Sequence, residues 1–236
     1  MSNPLLKDSV FRDAVRTSGA MTISGVINKS IILWALLAVS AVCSWTNPQI
    51  GGALAYPAIF IGFILALITI FNKTASPFLA PLYAICQGLL LGYISLVFEK
   101  QYPGIVVNAV FLTIAVLFCM LAAYRTGMLR ATPMFTKVVV LATFSILIVY
   151  IADLLLNLFG GGRVPYIHDS GIIGIGISLV IVAVAALNLI IDFEIIAQGA
   201  RHGAPKYMEW YGSFALMVTL VWLYLEMLRL LGKIRN

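Results

Sequence analysis

Charge is what this chain most conspicuously lacks. Only 10% of its 236 residues are charged and 62% are apolar, against about 25% and roughly 45–50% in soluble domains. A water-soluble fold of this length has too few polar groups here to cover its surface. A bundle of helices wrapped in lipid has little surface that needs them. Histidine is scarce as well. His168 and His202 are the two present, both in polar breaks, and no HExxH, GxSxG or cysteine–histidine cluster accompanies them. Zinc hydrolysis and triad chemistry therefore lack their parts, and no enzyme is expected. Intramembrane aspartyl proteolysis needs two facing acids, for which residue type alone offers Asp153 with Asp192. The last apolar run has no lysine in its middle for a retinal Schiff base, since Lys233 comes too late. Three cysteines, Cys43, Cys86 and Cys119, each lie inside an apolar run without metal-ligand spacing. They read as small packing residues, and no resident cofactor or metal is expected.

What the chain does have is long apolar runs. A window of about 20 residues, the length of helix that crosses the hydrocarbon, picks out seven, near residues 30–47, 53–71, 78–98, 104–124, 138–159, 171–191 and 213–232. Polar or Pro/Gly breaks separate them: "TNPQIGG", "NKTASP", "EKQYPG", "RTGMLRATP", "GGGRVPYIHD" and "ARHGAPKYMEW". The expectation is an all-α membrane protein with seven transmembrane helices. Residues 1–29 form a polar N-terminal segment, and residues 30–236 form a single transmembrane domain. Residues 5–26 suit an amphipathic helix on the cytoplasmic leaflet or a basic tail. No charged–apolar–small cleavage pattern precedes the first run, so no signal peptide is expected.

The net charge of +6 does not point to nucleic acid, because the basic residues are scattered over the breaks without an aromatic-interleaved patch. Topology explains them. Lys7, Arg12, Arg16, Lys29, Lys73, Arg125, Arg130, Lys137, Arg201 and Lys206 fall on one side, and Lys100 and Arg163 on the other. The positive-inside rule then puts the N-terminus in the cytoplasm and, after seven spans, the C-terminus outside. Arg229, Lys233 and Arg235 object, since they fall on the outer side; a re-entrant fifth or seventh run would return the tail.

On the third run Ala84, Gly88 and Gly92 recur every four residues, with Ser95 continuing the face, a pattern that lets another helix approach closely. The acids carry more information, because a charge in mid-bilayer costs about 2.5–3.5 kcal/mol on insertion scales. Asp153 lies inside the fifth run with Tyr150 and Asn157 on its face, and reads equally as structural glue or as part of a pathway. Asp192 ends the sixth run in "LNLIIDFEIIAQGA". Gly174, Ser178, Ala185 and Asn188 precede it at near-whole turns as a small, polar stripe. Glu194 points about 200° away from it, towards headgroups or a loop. Glu226 has Arg229 three residues on, close enough to pair along one face. Asp192, with no cation in its own turn, is the functional candidate; the plain alternative is an interfacial acid bonding the cytoplasmic loop. Arg201, His202 and Lys206 of that loop are candidate counter-charges, or headgroup anchors.

The stretch "LNLIIDFEIIAQGARHGAPKYMEWYGSFALMVTLVWLYLEMLRLLGKI", with "SPFLAPLYAICQGLLLGYIS" and "YPGIVVNAVFLTIAVLFCMLAAYRTGMLRATPMF", resembles the Bax inhibitor-1 family, in particular a bacterial branch. The resemblance spans roughly residues 70–232, and "DFE" and "TLVWLYLEMLRLL" are its most specific parts. It implies a seven-helix fold whose last helix is central and ringed by the other six. It also implies a pH-sensitive calcium leak, latched by paired aspartates on the sixth and seventh helices. Asp192 matches the first aspartate. Counting back from "LRLLG", the second falls on Thr219, a departure that leaves one carboxylate for the latch. The Thr219 hydroxyl and a nearby acid such as Glu209 both bear on how Asp192 holds its proton. Asp192, Thr219, Glu226, Asp153, Asn188 and Glu209 then mark proton sensing and a cation route, with Ca²⁺ held transiently near Asp192. The rival expectation is a non-conducting regulator that binds a membrane protease or another membrane complex.

Overall fold

The computed structural model describes residues 19–160, 164 and 169–236. Lys7, Arg12, Arg16, Arg163 and His168 lie outside the described residues, as does most of the amphipathic segment expected over residues 5–26. Among the described residues the chain forms seven long helices, each long and apolar enough to cross a membrane. They are α1 (Ile23–Thr46), α2 (Pro48–Phe71), α3 (Ser76–Gln101), α4 (Ile105–Arg125), α5 (Pro133–Leu158), α6 (Ile172–Arg201) and α7 (Met208–Arg235), with a 3₁₀ turn at Lys73–Ala75 before α3. The shortest, α4, has 21 residues and so rises about 31 Å, matching a hydrocarbon core of about 30 Å. No re-entrant segment replaces the fifth or the seventh run; each is one unbroken helix.

Local chemistry starts and stops these helices where the apolar runs break. Thr22 and Thr132 cap α1 and α5, their hydroxyls accepting from Gly25 N and Phe135 N, which satisfies donors that an N-terminus leaves orphaned. Proline stands at the first turn of α2 and α5, where its missing N–H costs nothing. Before α4 the Glu99 carboxylate accepts from Gly104 N at 2.6 Å and Val106 N at 3.1 Å. Just past the end of α6, Gly203 has a φ of +65° that lets Ala204 N reach back to Gly199 O at 2.9 Å, the closing bond of a Schellman turn.

The chain divides into two compact units. The first holds the described residues up to Tyr93 together with Glu194–Met217. Within it Gly88 and Gly92 bring α3 against the α1 backbone. A Cβ on Gly88 would collide with Leu37 O and Ser40 Oγ, and one on Gly92 with Ala41 O. Ser44 Oγ of α1 donates to Leu89 O of α3 at 2.7 Å. Ser95 leaves this face. It belongs to the second unit, Ile94–Phe193 with Val218–Asn236, where its hydroxyl meets the Tyr224 hydroxyl at 2.6 Å.

Burial follows the lipid-solvated expectation. The apolar window of α5 is only 6% buried, and Leu141, Phe144 and Ile148 stand out from it, as residues facing acyl chains do. Cys43 and Cys119 are exposed too, so two of the three cysteines face outwards and do not pack. The window of α7 is 56% buried, the largest share of the seven.

Candidate functional site: acids on the last two helices

Within the second unit the small, polar stripe of α6 is turned inward. Gly174, Ser178 and Ala185 are buried, and Asn188 donates to Thr143 Oγ1 of α5 at 2.8 Å. Asp192 ends this stripe. The Thr219 hydroxyl of α7 hydrogen-bonds its carboxylate, while the other carboxylate oxygen, Oδ2, is buried without a hydrogen-bond partner. An ionised carboxylate accepts several hydrogen bonds, so a buried oxygen with none is a site where a proton can be taken up or released without dismantling an existing bond. Tyr124 and Phe193 pack beside this position, their ring centroids 5.8 Å apart.

The antiparallel seam of α6 and α7 continues away from this pair. Thr219, Glu226 and Lys233 are seven residues apart, close to two turns each, and so share one face. Glu226 is 1% exposed, and its Oε1 accepts from Arg229 Nη1 at 2.8 Å, Tyr150 Oη at 2.8 Å and Trp222 Nε1 at 3.3 Å. Arg229 also stacks over the Tyr150 ring, 5.0 Å from its centroid. The Glu226–Arg229 pair legible in the sequence therefore forms. Tyr150, which shares a helix with Asp153, completes this cluster. Asp153 itself accepts from Val164 N at 2.9 Å, which ties the α5–α6 connection to α5, and Asn157 is exposed. At the far end of the seam the Lys233 ammonium donates to Gly174 O at 3.0 Å and Ser178 Oγ at 2.8 Å.

Glu209 belongs to the first unit, and its partners are there. It is fully buried. Its Oε1 accepts from Thr22 N and Thr22 Oγ1, each at 3.0 Å, and Lys29 Nζ lies 2.9 Å from Oε2. Lys206 Nζ stands 3.7 Å from Oε1. A Cβ at Gly25 would collide with the carboxylate, so glycine there lets the acid into the first turn of α1. The loop cations offered as counter-charges to Asp192 are engaged elsewhere. Arg201 pairs with Glu194 at 2.8 Å, Lys206 with Glu209, and His202 Nδ1 with Gln198 O at 2.8 Å.

Sequence reasoning missed the partners of Glu209 and Lys233. Removing one partner of a fully buried ion pair costs about 3–5 kcal/mol. Lys29 keeps 22% of its side chain exposed, which lowers that cost by screening. Glu209→Gln is expected to destabilise the protein by about 2 kcal/mol, read as a lower thermal midpoint in detergent. Unchanged stability would mean that the Lys29–Glu209 contact contributes nothing.

No curated protein and no solved structure matches this chain. A family model described as Bax inhibitor 1 like matches residues 3–236, which takes in all seven of the helices described above. The seven apolar helices and that match place the chain in a lipid bilayer as a member of the Bax inhibitor 1 like family.

Proposed function

We propose that the protein is a passive, proton-modulated cation leak with Ca²⁺ among its permeant ions. Asp192 is its latch and Thr219 the latch's partner on α7. The observation that carries this reading is the Asp192 carboxylate, bonded to Thr219 on one side and holding a buried, unpartnered oxygen on the other. Gain or loss of a proton there changes how α6 grips α7, the helix with the largest buried share. The inward face of the α6 stripe supports conduction over docking, since a stripe offered to another membrane protein would face lipid. Asn188, Asp153 and Glu226 lend polar atoms to the same unit, and carboxylate oxygens suit a hard cation such as Ca²⁺. The reading needs no cofactor and no covalent step. Glu209, locked by Lys29 and Lys206, takes the part of an anchor within the first unit.

The same reading places the N-terminus in the cytoplasm and the C-terminus outside, in a bacterial inner membrane. Of the cations that objected to this orientation, Arg229 pairs with Glu226 and Lys233 donates to Gly174 O and Ser178 Oγ, while the exposed Arg235 donates to Pro103 O at 2.7 Å.

Calcium flux from proteoliposomes, followed against pH, tests the proposal. The wild type is expected to leak with a pH profile as shallow as one titrating group gives, about one proton. Thr219→Asp, which restores the second carboxylate, should spread the profile into two separated, coupled steps, because the ionisation of one acid opposes that of the other. A folded wild type that passes no cation at any pH overturns the reading.

A further inference from the structure

We propose that Lys233 is an electrostatic barrier at the end of the α6–α7 seam remote from Asp192, one that limits cation flux and holds back divalent ions more than monovalent ones. The inference rests on the leak reading above and names a selectivity-determining residue for it.

The seam itself carries the argument. Asp192 and Ser178 are fourteen residues apart on α6, and their partners Thr219 and Lys233 are fourteen apart on α7. The two helices thus keep one antiparallel register over about 21 Å, with polar contacts at both ends. Between those ends Glu226 and Arg229 cancel, joined at 2.8 and 3.1 Å, with the Tyr150 hydroxyl 2.5 Å from Arg229 Nη1. Lys233 has no directly bonded counter-ion; the charges of Glu226 and Asp169 act on it from further off, against that of Arg229. It is 7% exposed, and its bonded acceptors are a backbone carbonyl and a hydroxyl, both neutral. Asp169, just before α6, accepts from Gly171 N at 3.2 Å, and among the described residues no ion pair joins it to Lys233. A cation on the seam meets a carboxylate latch at one end and a fixed ammonium at the other.

Placing an ammonium without a bonded acid among buried atoms is costly, and a methionine of similar shape fits an apolar helix contact at less cost. A charge kept at such a position acts on whatever passes it. Coulomb energy scales with the valence of the passing ion, so the barrier met by Ca²⁺ is twice that met by Na⁺. Rates follow the exponential of the barrier. The factor gained by Ca²⁺ on removing the charge is therefore the square of the factor gained by Na⁺. A residue that merely packs the helices has no such signature.

Proteoliposomes of wild type, Lys233→Met and Lys233→Arg, at matched protein density and pH, are assayed for Na⁺ and Ca²⁺ flux. Lys233→Met is expected to raise Na⁺ flux about threefold and Ca²⁺ flux about tenfold, with the pH profile keeping its shape. Lys233→Arg, which keeps the charge, should stay within about twofold of wild type. Should Lys233→Met lose its thermal transition, Lys233→Gln, which retains a donor for Gly174 O and Ser178 Oγ, is read the same way. Equal factors for the two ions would mean loosened packing and overturn the inference. A leaking wild type whose fluxes do not rise on substitution removes the barrier and leaves the latch standing. Folded wild type and variants that pass neither ion remove the leak reading and the barrier together.

Discussion

Gly92→Val is expected to destabilise the protein by at least about 3 kcal/mol, the upper end of the range for overpacked interiors. The Cβ alone would collide with Ala41 O on α1, and a carbonyl in mid-helix cannot swing aside without breaking its own hydrogen bond. Relief requires the two helices to part. That separation would stretch the Ser44 Oγ to Leu89 O bond of 2.7 Å and open the contact of Gly88 with Leu37 and Ser40. In lipid no hydrophobic force pulls separated helices back together, because acyl chains solvate them as well as their neighbours do. Gly52→Val makes a suitable control in the same unit. A Cβ there meets only the edge of the Tyr93 ring, at 3.2 Å, and a side chain can turn. Thermal unfolding in detergent checks the pair. If Gly92→Val costs no more than Gly52→Val, the small-residue face is not what holds α1 to α3.

That face was legible because its signal is local: three small residues at a four-residue spacing in one apolar run. The spans were legible for the same reason. All seven apolar runs fall on the seven helices, but every helix except α4 is longer than its run. α1 begins at Ile23 and not near residue 30, and α6 continues to Arg201, well past the run that closes near residue 191. Hydropathy measures the stretch that prefers hydrocarbon, whereas a helix continues through polar residues that find partners. Lys29 and Glu194 lie in such extensions, one paired with Glu209 and the other with Arg201.

Partners distant in sequence were not legible. The Glu226–Arg229 pair sits three residues apart on one helix and could be read directly. Tyr150, 76 positions from Glu226, could not, because an apolar pattern states which residues avoid water and not which helix they meet. Thr219 was reached through the family resemblance, and its bond to Asp192 places it beside the acid that the stripe had singled out. Lys233 had one unread signal. It continues the seven-residue spacing of Thr219 and Glu226, so three polar side chains at that interval on the last span mark a buried polar face.

Asp192→Asn is expected to abolish the pH dependence of calcium flux and to hold the flux at the value the wild type reaches when Asp192 is protonated. Asparagine keeps the shape of the carboxyl and an oxygen to accept the Thr219 hydroxyl, yet it cannot ionise. The α6–α7 seam therefore keeps its packing while the latch loses its two states. The energy required is small. A tenfold span of flux between the two states corresponds to about 1.4 kcal/mol of differential stabilisation, within what one charge-assisted hydrogen bond supplies. Asp192→Glu, which retains a titrating group one methylene longer, should keep a pH-dependent flux with an altered profile. Thermal midpoints of the three proteins separate latch from fold: Asp192→Asn is expected to unfold within a few degrees of wild type. If Asp192→Asn leaks with the wild-type pH profile, the proton acts elsewhere, and Glu226 with its Arg229 and Tyr150 partners becomes the site to substitute next.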